Sequence, residues 1–295
     1  MSIIEQAVRR LDELRRAGIE PSPPAAANGL KVVGVSGAPD LGAGQDLDHA
    51  PQRVALDLVR LAARGFVTPD APRSRLADEF RRAKRPLLAN VRGQSAAPVK
   101  RANCIMVSSS LAGEGKTFTA VNLAMSMAAE VDSRVILIDA DVMRPSVLSR
   151  LELQPAAAGL LDLLTDPKLA LSDVILRTNV ANLWLLPAGR AHGNATELLA
   201  SAAMERLVDQ LASSGVGPIL VFDAPPLLAA PETRALAAHV GQIVLVVEAN
   251  RTPQSAVRDA LEQIKDCPVV MTLLNKVQGG SDASYGYGAY GYGAG

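Results

Sequence analysis

Residues 104–117 read CIMVSSSLAGEGKT, and the fold of the chain turns on them. Cys104 to Val107 form a short apolar run of the kind a buried strand makes, and a serine-rich turn with glycines at 113 and 115 follows. Ser110 to Thr117 fit the phosphate-loop pattern GxxxxGK[ST], with Ser110 standing where the pattern has its first glycine. Gly113 and Gly115 let backbone amides curl round an anion, and a helix starting next to them aims its partial positive charge at the same spot. In that arrangement Gly113, Glu114, Gly115 and Lys116 would cradle the phosphates of a nucleotide, and Thr117 would offer a hydroxyl to Mg2+.

Two further strand-like runs end in acids. VILIDADVMRP, residues 135–145, places Asp139 and Asp141 after a buried strand, and ILVFDAPP, residues 219–226, places Asp223 after another. An Asp after a strand is ordinarily a cap or turn residue. Beside a phosphate loop, three such acids can instead hold Mg2+ and accept a proton from a nucleophile.

The texture from about residue 102 onward alternates strand-like runs with amphipathic segments. Strands are expected at 104–108, 134–138, 183–186, 219–222, 243–247 and 269–274, and helices at 116–130, 196–213, 232–239 and 254–265. That alternation predicts an α/β fold of the P-loop NTPase type, a mostly parallel sheet with helices on both faces. Ligands of such sheets sit at the carboxyl ends of the strands, where all three motifs fall. Asn275 ends the last strand; resemblance to related ATPases, which have an Asn in a similar place, makes it a candidate contact for adenine, and a turn residue is equally open.

The flanks read differently. Residues 1–19 carry an apolar stripe through Ile4, Ala7, Val8, Leu11 and Leu14, as an amphipathic helix does. Residues 20–74 are expected to be a largely irregular linker, rich in Pro, Gly and Ala, with a short strand at 31–35. The compact domain is placed at 75–277, and 278–295 is expected to be a flexible tail too poor in aliphatic residues to fold.

The 295 residues carry a formal net charge of zero, which offers no global attraction to nucleic acid or to an anionic membrane. Cys104 and Cys267 lie in apolar stretches without metal-ligand spacing and are expected to be buried, reduced thiols. The start of the chain lacks the apolar core of a signal peptide, and no apolar run approaches the roughly 20 residues of a membrane-spanning helix. A cytoplasmic location follows as the expectation.

Together the three motifs resemble the Walker A, A′ and B motifs of the bacterial tyrosine kinases, or BY-kinases, of exopolysaccharide production. The wider superfamily includes positioning and partition ATPases, which carry an extra lysine where this chain has Leu111. All four tyrosines, Tyr285, Tyr287, Tyr290 and Tyr292, crowd into the tail, which is similar to the autophosphorylated tail of the family. EFRRAKR, residues 79–85, matches the family's ExxRxxR pattern, so Glu79, Arg82 and Arg85 are implied to join subunits into a homo-oligomeric ring. LPAGRAHGNATELLAS, residues 186–201, is also similar to a family stretch, with Ala195 where a proline is common. The resemblance covers about residues 75–292.

It implies an ATP- and Mg2+-dependent tyrosine autokinase. Lys116 would serve phosphoryl transfer, Asp139 would be the general base, and Thr117, Asp141 and Asp223 would support the metal. It also implies a membrane-bound co-polymerase or chain-length determinant protein as activator, which would bring the kinase to the inner membrane face, and a cognate tyrosine phosphatase. A positioning-type ATPase without kinase activity and a nucleotide-binding polysaccharide co-regulator stand as alternatives.

Overall fold

The computed structural model describes residues 52–69, 74–213 and 217–277. The expected N-terminal helix, the strand at 31–35 and the tyrosine tail lie outside the described residues.

Eight strands form one sheet: β1 (Gln52–Val54), β2 (Cys104–Ser109), β3 (Val135–Asp139), β4 (Leu176–Thr178), β5 (Leu183–Leu186), β6 (Ile219–Asp223), β7 (Gln242–Glu248) and β8 (Val269–Asn275). Their order across the sheet is β1-β4-β5-β3-β6-β2-β7-β8. The six strands expected from the sequence all pair in parallel. β4 runs antiparallel to β5, and β1 pairs parallel to β4.

Alternation along these strands divides the core into two layers. Met106, Ile136, Trp184, Phe222 and Leu245 pack on one face. Ile105, Leu137, Leu185, Val221 and Val244 pack on the other. Burial of both faces explains why the sequence shows unbroken apolar runs where a half-exposed sheet would show a polar alternation.

Ten helices cover the sheet among the described residues: α1 (Leu58–Ala63), α2 (Arg75–Val91), α3 (Lys116–Ala128), α4 (Val147–Arg150), α5 (Leu160–Thr165), α6 (Leu171–Val174), α7 (Ala195–Leu199), α8 (Ala202–Ser213), α9 (Pro231–Ala237) and α10 (Gln254–Gln263). The expected single helix over 196–213 is two, because Ser201 breaks it. The Ser201 hydroxyl donates to Leu198 O at 2.7 Å and accepts from Met204 N at 3.2 Å, closing one helix and opening the next.

Within the described part of the stretch expected to be linker, the structure differs from the sequence expectation. Residues 52–69 supply β1 and α1, and Leu56, Leu61 and Phe66 are buried in the core. Distant side-chain amides hold them there. Asn179 accepts from Leu56 N at 2.7 Å and donates to Leu56 O at 3.1 Å, and Asn122 accepts from Val67 N at 2.6 Å. These partners lie more than fifty residues away in sequence, so local composition carries no trace of them.

Candidate active site

The phosphate loop joins β2 to α3. Gly113 and Gly115 have φ of 88° and 98°, left-handed values that glycine adopts without strain. A Cβ on Gly115 would also collide with the amide nitrogen of Asn275. No side chain caps the start of α3. Its first amides therefore remain open to an anion, with the helix dipole behind them.

Three adjacent strands bring the charges together. β6 lies between β2 and β3, and Asp139 and Asp223 are paired in register at their ends. Lys116 Nζ lies 2.6 Å from Asp141 Oδ2 and 3.9 Å from Asp223 Oδ1. The Thr117 hydroxyl is 3.0 Å from that of Ser146, which precedes α4. Lys116, Thr117, Asp139, Asp141 and Asp223 thus form one cluster at the carboxyl edge of the sheet.

The acids are not equivalent. Asp139 Oδ2 accepts from the amides of Ser146 and Val147, both at 2.9 Å, and so anchors the start of α4. Its Oδ1 is buried without a hydrogen-bond partner, as are both carboxylate oxygens of Asp223 and the hydroxyl of Ser110. Burial pushes the Asp139 carboxyl up to about 7, aided by the charge of Asp223 and opposed by the Val147 and Ser146 amides. Burial pushes Asp223 up to about 6, against the pull of the Lys116 ammonium. Asp141 is tied on both sides, to Lys116 through Oδ2 and to Arg144 N through Oδ1 at 3.2 Å.

Buried oxygens without partners, clustered with the Lys116–Asp141 pair, fit a site built for additional charge of both signs. Among the described residues no group of three or more His, Cys, Asp or Glu side chains forms a closed metal cage. Mg2+ shared with nucleotide phosphates requires less, since one or two carboxylates and water complete its shell. The donor set therefore fits Mg2+ together with a polyphosphate.

The outer side of the loop has partners that the motif does not reveal. Glu114 is buried; its carboxylate accepts from Leu111 N at 2.7 Å and from the Thr252 hydroxyl. Asn275 Nδ2 donates to Glu114 O at 2.8 Å, and Lys276 Nζ donates to Gly113 O at 2.7 Å. Ser146, Thr252 and Lys276 were not legible as site residues, because each is brought in by the ends of other elements.

Glu79, Arg82 and Arg85 lie exposed on α2, outside the carboxylate cluster. Glu79 pairs with Arg75 at 2.9 Å. The opposite face of α2 buries Phe80, whose ring meets Phe118 of α3 at a centroid distance of 6.5 Å. Cys104 is fully buried, whereas Cys267 is partly exposed, unlike the expected buried pair. No helix among the described residues is long and apolar enough to cross a membrane.

Comparison with known proteins agrees with this geometry. The family described as "AAA domain" matches residues 102–272. Tyrosine-protein kinase CpsD of Streptococcus agalactiae is 30% identical over 195 residues, covering 65% of this chain and 83% of that protein. The succinoglycan biosynthesis transport protein ExoP of Rhizobium meliloti is 33% identical over 217 residues, or 71% of this chain, but this spans only 26% of ExoP. The solved kinase domain of VpsO superposes with a TM-score of 0.59 at 29% identity, covering 68% of this chain and 95% of that domain. With a phosphate loop, three strand-end carboxylates and these matches, the chain belongs to the bacterial tyrosine kinase family.

Proposed function

We propose that this chain transfers the γ-phosphoryl group of ATP to tyrosine hydroxyls, including those of its own C-terminal segment, in the control of exopolysaccharide synthesis or export. The observation that carries the reading is the convergence of Lys116, Asp139, Asp141 and Asp223 beside an uncapped helix start. The relatives' names support tyrosine as the acceptor.

ATP, when bound, would supply the phosphoryl group, and Mg2+ bound with it would offset the negative charge of the phosphates. Gly113, Glu114, Gly115 and Lys116 hold the phosphates. Thr117, Asp141 and Asp223 support the metal directly or through water. Asp139 takes the tyrosine proton as the new oxygen–phosphorus bond forms and the bond to the ADP oxygen breaks. A tyrosine hydroxyl with pKa near 10 needs such a base at neutral pH, and a carboxyl raised toward 7 suits the task.

The acceptors are Tyr285, Tyr287, Tyr290 and Tyr292. About seventeen residues separate Asn275 from Tyr292, and a glycine-rich chain of that length spans roughly 20–25 Å on average. That reach serves its own site or a neighbour's. Asn275 has its Nδ2 committed to Glu114 O, which leaves Oδ1 as an acceptor for the adenine amino group. By family resemblance the further partners are a membrane-bound co-polymerase that activates the kinase at the inner membrane face, identical subunits in a ring, and a tyrosine phosphatase.

Phosphopeptide mass spectrometry of the C-terminal peptide, with a cognate activator supplied, tests the reading. Wild-type protein is expected to carry phosphate on these tyrosines, and Lys116→Met is expected to carry none. Released phosphate without tail modification would favour a positioning-type ATPase. Nucleotide binding without either would favour a co-regulator.

A further inference from the structure

The carbonyl side of the phosphate loop is tied to the ends of β7 and β8. Lys276 Nζ donates to Gly113 O at 2.7 Å and pairs with Glu248 Oε2 at 3.0 Å. Asn275 Nδ2 donates to the next carbonyl, Glu114 O, at 2.8 Å. The Thr252 hydroxyl bonds the Glu114 carboxylate, while Thr252 Oγ1 also accepts from Glu248 N at 3.1 Å. Glu248 therefore meets the latch through both its backbone and its side chain. Lys276 has φ of 56°, a left-handed value that side-chain-bearing residues adopt sparingly.

Each peptide unit is planar, so holding its carbonyl from outside fixes where the N–H on its other edge points. The carbonyl of Gly113 belongs to the same unit as the Glu114 amide, and the carbonyl of Glu114 to the same unit as the Gly115 amide. A donor on the carbonyl also polarises the unit and strengthens its N–H as a donor. We propose that Lys276, braced by Glu248, is a positioning residue that aims the Glu114 amide at the phosphates of ATP, and that the Thr252–Glu114 bond braces the same peptide from its side chain. The inference rests on the phosphate loop binding nucleotide. It concerns the terminal phosphates and leaves recognition of the base untouched.

Lys276 could instead act only through its positive charge, and Glu248 separates the two mechanisms. As a bare charge, Glu248 repels phosphate, so its removal would tighten ATP binding. As the brace of the latch, its removal weakens it.

The test is calorimetric titration of ATP, ADP and adenosine into the full chain with Mg2+ present, for wild type, Lys276→Met, Lys276→Arg and Glu248→Ala. Loss of one charge-assisted hydrogen bond corresponds to about tenfold in affinity. Lys276→Met is expected to weaken ATP and ADP by about that factor, to leave adenosine unchanged and to melt with the nucleotide-free wild type. Lys276→Arg is expected to restore most of the loss. Glu248→Ala is expected to weaken ATP. Unchanged ATP affinity in Lys276→Met, an equal loss for adenosine, or tighter ATP binding by Glu248→Ala would overturn the latch. Failure of the wild-type chain to bind ATP would overturn the nucleotide reading and the latch with it.

Discussion

Asp139 is held in two incompatible roles. One oxygen anchors the start of α4 through two amides, while the other is buried with nothing to bond. Folding raises its pKa from 3.8 to about 7, so in that window the folded chain keeps a proton that the unfolded chain releases. The stabilising contribution of that proton is present at low pH and lost as pH rises through the folded value. Asp139→Asn keeps an acceptor for the amides and removes the charge. In nucleotide-free, Mg2+-free protein it is expected to raise the melting temperature by a few degrees at pH 8, with the difference shrinking at pH 5. Its phosphotransfer is expected to fall by about 10²-fold or more. A variant that melts below wild type at pH 8 would contradict the buried-charge account. The sequence made Asp139 visible as an acid after a strand. Its amide partners, Ser146 and Val147, lay hidden because nothing in a local pattern says where the chain returns after Pro145.

Among the elements, α2 and α3 are joined by a polar contact inside an otherwise apolar interface. Lys84 is buried, and its ammonium donates to Ser126 O at 2.5 Å and pairs with Glu130 at 2.6 Å. The hydrogen bond from Lys84 holds Glu130 below the usual carboxylate range, against the opposing effect of its partial burial. Lys84→Met fills similar volume but leaves the Ser126 carbonyl without its side-chain donor and the half-exposed Glu130 carboxylate with Arg92 alone, at 3.4 Å. A loss of about 1–2 kcal/mol is expected from urea unfolding, with the slope unchanged. Five of the six strands read from the sequence lie inside the sheet and were legible because burial on both faces writes continuous apolar runs; the sixth, β8, is an edge strand and only partly buried. β1 and β4 were not, since three residues each are too few to show a period. α4, α5 and α6 escaped for the same reason.

On the scale of the whole molecule, the exposed Arg82 and Arg85 are the groups through which ring assembly is tested. Glu79 is engaged by Arg75 on the same helix, so in the proposed ring a neighbouring subunit would have to compete with that pair. Arg82→Glu with Arg85→Glu is expected to shift the particle mass measured by light scattering from assembly to monomer, with ATP affinity unchanged. An unchanged mass would remove these arginines from the interface. Such a surface role is invisible to periodicity, which reads only which side of a helix is apolar, and here it came from the resemblance of the motif.

The placement of the aromatic residues adds a practical consequence. Trp184, the only tryptophan, sits in the core on β5, while every tyrosine lies at 285–292. The two natural fluorophores are therefore assigned to different parts of the chain. Indole emission reports the packing of the sheet, and phenol emission reports residues 285–292, so unfolding and the tyrosine phosphorylation proposed above can be followed separately in one unlabelled sample.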